Sequence, residues 1–122
     1  MSCVLIVEDE DDVREFMELL IANAGYETMV ARDGYEALEM MRARRPCLVL
    51  LDLQMPRMDG WEFRERQLRD PRLAHVPVVC ISAYFDPGDV TRKLGVRCLL
   101  KPADFHAVLR EVRSACERSR NS

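Results

Sequence analysis

Short runs rich in apolar residues recur along the chain, and each run predicts one β-strand. The first run is typical, because its five apolar residues end at Glu8 and Asp9 and are too few for a helix. Leu48 to Leu51 is uninterrupted apolar sequence, which indicates a strand that is covered on both faces. The predicted strands are 3–7, 27–31, 48–51, 76–81 and 96–100.

The longer segments between these runs predict helices. The helix predicted over 89–94 is short, and its sequence pattern is weak. The predicted helices run from Asp11 to the stop at Gly25, from the Asp33 cap to the stop at Pro46, and over 61–68, 89–94 and 105–118. Inward-facing positions on the first two are Val13, Met17, Leu20, Ala24, Ala37, Leu38 and Met41, with Phe16 flanking the first group. The tail over 119–122 is expected to fray.

Strands that alternate regularly with helices predict an α/β fold, a doubly wound five-stranded parallel sheet with helices on both faces. We find no internal repeat, linker or low-complexity segment, so the sequence predicts a single domain over 1–122. In open sheets of this kind, ligands bind beyond the carboxyl ends of the strands. Candidate chemistry is therefore expected at the residues that follow each strand.

Polar side chains stand at the ends of four predicted strands. They are Glu8 and Asp9 after the first, Asp52 after the third, Ser82 after the fourth and Lys101 after the fifth. Each has an ordinary structural explanation, since acids after a strand commonly begin a helix and a serine often caps or turns. Asp52 and Lys101 fit that explanation less well, because a charge beside a buried apolar strand is costly unless it is compensated.

The combination of these side chains predicts a phosphoryl-transfer site. Three carboxylates in one crevice repel each other, and a hard divalent cation with oxygen ligands, Mg²⁺ rather than Zn²⁺, relieves that repulsion. A serine hydroxyl and a lysine ammonium opposite the metal would cradle a phosphoryl group. Asp52 is then the expected nucleophile, which would form an aspartyl phosphate.

Charge and composition exclude several other classes of protein. The net charge is −3 and the arginines are interleaved with acids, which indicates solvated helix faces and no direct binding of nucleic acid. No apolar run approaches the roughly 18 residues that a membrane span needs, and no signal-peptide pattern precedes the first acids. The sequence therefore predicts a cytoplasmic protein without membrane insertion.

The cysteines are expected to be free thiols in the core. They are odd in number, widely spaced and form no C-x-x-C pair, so neither a structural disulfide nor a zinc site is expected. The five positions are Cys3, Cys47, Cys80, Cys98 and Cys116.

Four segments together resemble the receiver domain of response regulators, over essentially the whole chain. They are 4–9, 51–60, 81–83 and 100–102, with the sequences VLIVED, LDLQMPRMDG, ISA and LKP. The resemblance implies a flavodoxin-like (βα)5 fold with strand order 2-1-3-4-5, in which this chain's own departures, described below, predict a shortened fourth helix. It also implies a signalling switch that accepts phosphate from a histidine kinase or a histidine phosphotransfer protein and controls a downstream partner protein.

The resemblance assigns a role to each candidate residue. Asp52 would be the phospho-acceptor, Asp9 and Asp52 direct Mg²⁺ ligands, and Glu8 a ligand through water. The backbone carbonyl of Gln54 would complete the protein ligands. Ser82 would bind the phosphoryl group, and Lys101, followed by a cis peptide to Pro102, would pair with it.

The chain departs from the family pattern around the fifth strand. Cys98 stands where relatives carry an aromatic residue, and Ala103 stands where many carry another. The spacing from Ser82 to Lys101 is about three residues short, roughly one helical turn. Pro87-Gly88 interrupts the start of the fourth helix. An altered output face is therefore expected, with the loop over 84–89 reordering on phosphorylation.

Two other functions compete with the phosphorylation switch. A binding module that keeps the fold but no longer uses phosphate would not need the complete set of site residues, which are Glu8, Asp9, Asp52, Ser82 and Lys101. A small phosphatase with an aspartyl nucleophile typically needs a second acid two residues later, where this chain has Gln54. The sequence therefore favours a switch that catalyses only its own phosphoryl transfer and dephosphorylation, not an enzyme acting on other substrates.

Overall fold

Strands and helices alternate strictly along the chain in the computed structural model, which describes residues 3–53, 58–82, 87–100 and 105–121. The strands are β1 Cys3–Val7, β2 Glu27–Ala31, β3 Leu48–Asp52, β4 Val78–Ser82 and β5 Arg97–Leu100. The helices are α1 Asp11–Asn23, α2 Gly34–Ala43, α3 Gly60–Arg69, α4 Pro87–Leu94 and α5 Phe105–Asn121. All neighbouring strands pair in parallel in the order β2-β1-β3-β4-β5, which confirms the predicted topology.

The central strands are buried on both faces, because helices cover each side of the sheet. Alternate residues of β3 enter different clusters: Val49 and Leu51 pack with α2, α3 and α4, whereas Leu48 and Leu50 pack with α1 and α5. This two-sided burial explains why β3 reads as continuous apolar sequence. It also places the end of β3, which carries Asp52, in the middle of the sheet.

Side-chain caps fix where two of the helices begin. The Asp33 carboxylate accepts a hydrogen bond from the Glu36 backbone N–H at 2.9 Å, as the sequence predicts. Asp59 caps α3 in the same way, with the Glu62 N–H as donor at 2.9 Å. The stop after α1 is also confirmed, since Gly25 has a φ of 100°, which favours a residue without a Cβ.

The predicted buried face of α1 is partly wrong. Met17 is buried as expected, but Ile21 and Arg14 complete the buried face, and Ala24 is exposed. Phe16 is 49% exposed, and its ring centroid lies 5.0 Å from that of Phe105 on α5. The buried face of α1 is therefore rotated relative to the predicted one, because the packing of α1 on the sheet determines which side of the helix is covered.

The limits of several elements also differ from the prediction. Helix α4 has eight residues, which confirms a short fourth helix, but it begins at Pro87. A proline is favoured in the first turn, because its fixed φ suits a helix and its missing N–H has no intrahelical acceptor there. Helix α5 extends to Asn121, past the predicted end at Arg118, since no glycine or proline interrupts it.

The expectation that all cysteines are free is wrong. Cys47, just before β3, forms a disulfide with Cys116 on α5, and their Cα atoms are 5.0 Å apart. Cys3, Cys80 and Cys98 are free. The Cys47–Cys116 bond ties α5 to the sheet across the cluster that also contains Val108 and Val112.

Candidate functional site

Three carboxylates meet at the carboxyl ends of β1 and β3. These strands are neighbours, and Val7 pairs with Leu51, so the residues that follow them lie side by side. One carboxylate oxygen from each of Glu8, Asp9 and Asp52 can be chosen so that all three lie within 4.8 Å of one another. The structure therefore brings together the three acids that the sequence predicts to share a crevice.

Burial differs among these acids. Glu8 is 3% exposed and Asp52 is 8% exposed, whereas Asp9 is exposed. The Glu8 backbone N–H donates to the Ala31 carbonyl at 3.0 Å, which holds the end of β1 against β2. Asp52 is the last residue of β3 and pairs with Ile81 of β4. Asp52 thus has a fixed backbone, while Asp9 opens the cluster to solvent.

Arg14 contacts the backbone of two residues of this acidic cluster and was not among the predicted site residues. Its Nη1 atom donates to the backbone carbonyl of Glu8 at 3.0 Å and to that of Asp9 at 3.5 Å. Its Nη2 atom donates to Asp11 Oδ1 at 2.5 Å. A signal was present in the sequence, because Arg14 shares the helix face of Met17 and Ile21, three and seven residues later.

The donor set fits a hard divalent cation. All three ligand atoms are carboxylate oxygens, and thiols and imidazoles are not part of the cluster. Three negative charges at this separation repel one another, and a bound cation would remove that repulsion. The acidic cluster therefore has the donor chemistry that a divalent metal ion such as Mg²⁺ requires.

The thiol closest in register to the site is not a competing nucleophile. Cys80 of β4 pairs with Leu51, the residue before Asp52. Burial raises the pKa of the Cys80 thiol to about 12, and the neighbouring Cys98 and Asp52 also raise it. Cys80 therefore stays protonated near neutral pH, and a carboxylate is the available nucleophile at this edge of the sheet.

Gly60 holds α3 close to the end of β3. Its N–H donates to the Leu53 carbonyl at 3.0 Å, and a Cβ at this position would lie 2.7 Å from the Leu53 Cα. Because backbone must move to accept a methyl group here, Gly60→Ala is expected to lower the free energy of unfolding by about 1–3 kcal/mol. Urea denaturation followed by circular dichroism measures this change.

Gly34→Ala is the matched control for that prediction. A Cβ at Gly34 would meet the Met58 side chain, with its Sδ atom at 2.6 Å, and methionine has three rotatable bonds with which to move away. The loss of stability should therefore be smaller than at Gly60. Equal losses in the two variants would contradict the close approach of α3 to Asp52 and Leu53.

The other predicted site residues are placed only in part. Ser82 is the last residue of β4 and pairs with Leu100 of β5, so its backbone lies at the same edge of the sheet as Asp52. Gln54 and Lys101, with the predicted cis bond to Pro102, lie outside the described residues, as does the loop over 83–86. Cys98 is half-buried and packs against the cluster on the α2, α3 and α4 face.

Comparison with known proteins decides the family. The family model described as "Response regulator receiver domain" matches residues 4–113, a span that includes the acidic cluster and Asp52. The chain belongs to the response regulator receiver domain family. It is thus a receiver domain of two-component signalling, whose members act as phospho-acceptor switches and interact with histidine kinases and downstream targets.

Relatives and solved structures agree with this assignment. The receiver domain is 39% identical over 89 residues to the polar-differentiation response regulator DivK of Brucella anthropi, covering 73% of this chain and 72% of that protein. The signal receiver domain of a histidine kinase from Syntrophus aciditrophicus superposes with a TM-score of 0.88 at 28% identity, covering 100% of this chain and 95% of the other. A chemotaxis protein of Vibrio cholerae superposes with a TM-score of 0.84 at 26% identity, covering 94% of this chain and 98% of the other.

Over the part of the receiver domain that the structure describes, no helix combines the length and the apolar character needed to cross a membrane.

Proposed function

We propose that this receiver domain accepts a phosphoryl group on Asp52 from a phosphohistidine donor, in a Mg²⁺-dependent reaction, and thereby changes conformation to control a partner protein. The observation that carries this proposal is the cluster of three carboxylates, Asp52 among them, within 4.8 Å at the carboxyl edge of the sheet. The donor is a histidine kinase or a histidine phosphotransfer protein, and the exchange takes place in the cytoplasm.

Asp52 is the acid best placed to act as the nucleophile. It ends the central strand, which is paired on both sides, so its backbone is held more firmly than that of Asp9 in the turn after β1. A carboxylate oxygen of Asp52 would attack phosphorus as the bond to the donor imidazole breaks. The electron pair of the broken P–N bond stays on the imidazole nitrogen, which then takes up a proton.

Glu8, Asp9 and Asp52 would hold the Mg²⁺ ion, Glu8 through water, together with the backbone carbonyl of Gln54. When bound, Mg²⁺ would neutralise negative charge on the phosphoryl oxygens and on the acidic cluster. Ser82 would bind the phosphoryl group from the end of β4, and Lys101 would pair with its charge. Dephosphorylation by attack of water at the same centre would return the domain to its resting form.

Phosphorylation with a small phosphodonor tests the site directly. Incubation with acetyl phosphate and Mg²⁺ is expected to add one phosphoryl group to the wild-type protein and none to Asp52→Asn, because the amide is a far weaker nucleophile than the carboxylate. Intact-mass spectrometry measures the addition, and chelation of the metal should suppress it in the wild type.

Asp12→Asn is the matched control, since Asp12 is an exposed acid in the first turn of α1. It should be labelled like the wild type. Equal labelling of the wild type and Asp52→Asn would refute Asp52 as the acceptor. A wild-type protein that takes up no phosphate while binding partners would instead support a module that keeps the fold without its phosphoryl chemistry.

A further inference from the structure

Arg14 connects α1 to the turn that carries two of the three clustered acids. The residue lies in the first turns of α1, and its side chain is only 10% exposed. The two carbonyls that its Nη1 atom contacts belong to Glu8 and Asp9 themselves, at 3.0 and 3.5 Å. The guanidinium therefore holds these two acids through their backbone carbonyls.

We propose that Arg14 is a positioning residue for the metal-binding carboxylates. By holding the backbone, it sets the direction in which the Glu8 and Asp9 side chains project from the turn after β1. This inference rests on the proposed function, since it concerns the same metal site. Glu8 is also held by its N–H bond to Ala31, so Arg14 supplies the second fixed point of the turn. With both points fixed, the two carboxylates stay near Asp52 before any cation arrives.

An arginine suits this position better than a lysine would. The planar guanidinium can donate from Nη1 to the carbonyls and from Nη2 to Asp11 at 2.5 Å in one fixed geometry. A lysine ammonium has all its N–H donors on one nitrogen and lacks this planar fork. The bond to Asp11 thus holds the guanidinium against the turn after β1.

Loss of Arg14 would have two opposite effects on cation binding. Removing a positive charge beside an acidic cluster strengthens the attraction for Mg²⁺, whereas freeing the turn weakens binding because the ligands must be ordered when the metal arrives. Arg14→Lys separates these effects, since it keeps the charge and loses the planar fork. If the loss of positioning outweighs the loss of positive charge, Arg14→Lys and Arg14→Met both bind the metal more weakly than the wild type.

The experiment is a Mg²⁺ titration of the full chain, followed by amide chemical shifts of ¹⁵N-labelled protein. We expect the dissociation constant to rise roughly 10- to 100-fold in Arg14→Lys and Arg14→Met, the range typical when a residue that orients metal ligands is lost. Arg66→Met is the control, because Arg66 is an arginine in an exposed ion pair with Glu62 on α3. It should bind Mg²⁺ like the wild type.

Unfolding of the metal-free proteins in urea is measured in parallel, and Arg14→Lys alone decides the question if Arg14→Met does not fold. Variants that lose stability yet bind Mg²⁺ as tightly as the wild type, or more tightly, overturn the positioning role and leave the proposed function standing. A wild-type protein that does not bind Mg²⁺ overturns both. Weaker binding in both Arg14 variants, with Arg66→Met unchanged, supports the inference.

Discussion

Reduction of the Cys47–Cys116 disulfide is expected to lower the free energy of unfolding by about 4 kcal/mol, because the bond closes a loop with a sequence separation of 69 residues. A cross-link of this length removes much of the conformational freedom of the unfolded chain. The loss would be a large part of the total stability of a domain of this size, which is typically about 5–15 kcal/mol. Urea denaturation with and without a phosphine reductant measures the difference.

The double variant Cys47→Ala/Cys116→Ala is the control for that measurement. It keeps Cys3, Cys80 and Cys98, so any effect of the reductant through those thiols would persist in it. Thiol titration of the denatured, unreduced wild type should find three free thiols of the five cysteines. Five free thiols, or a urea midpoint of unfolding that the reductant leaves unchanged, would show that the bond is absent in solution.

Addition of Mg²⁺ is expected to stabilise the native protein by about 2.7 kcal/mol at a hundredfold excess over its dissociation constant. The reason is that Mg²⁺ binds the assembled carboxylates of Glu8, Asp9 and Asp52, which the unfolded chain does not hold together. A thermal melt at increasing Mg²⁺ concentration, with ionic strength kept constant by NaCl, separates this binding from simple screening of the acids.

Asp9→Ala should respond to Mg²⁺ only weakly, because it removes the exposed ligand of the cluster. Without Mg²⁺ the same variant should melt at or above the wild-type temperature, since one of three mutually repelling charges is gone. The order of the two melting temperatures is thus expected to reverse as the metal is added. A wild-type melting temperature that Mg²⁺ leaves unchanged would argue against a metal site at these acids.

The local elements of the fold could be predicted from the sequence, because they depend on spacing and on single residues. Continuous apolar sequence before Asp52 identified a strand covered on both faces, and Asp33 and Gly25 marked helix limits that the structure confirms. The acidic cluster could also be predicted, since parallel strands bring their carboxyl ends to one edge. This rule alone is enough to predict that Glu8, Asp9 and Asp52 lie close together.

Packing between distant segments decided the rest. Cysteine pairing depends on which segments meet in space, so the bond between Cys47 and Cys116 could not be read from their spacing. The contacts of Arg14 depend on the rotation of α1 against the sheet, which also buried Ile21 and exposed Ala24. Sequence patterns record what each residue prefers locally, whereas only the assembled sheet and helices determine which side chains share a buried surface.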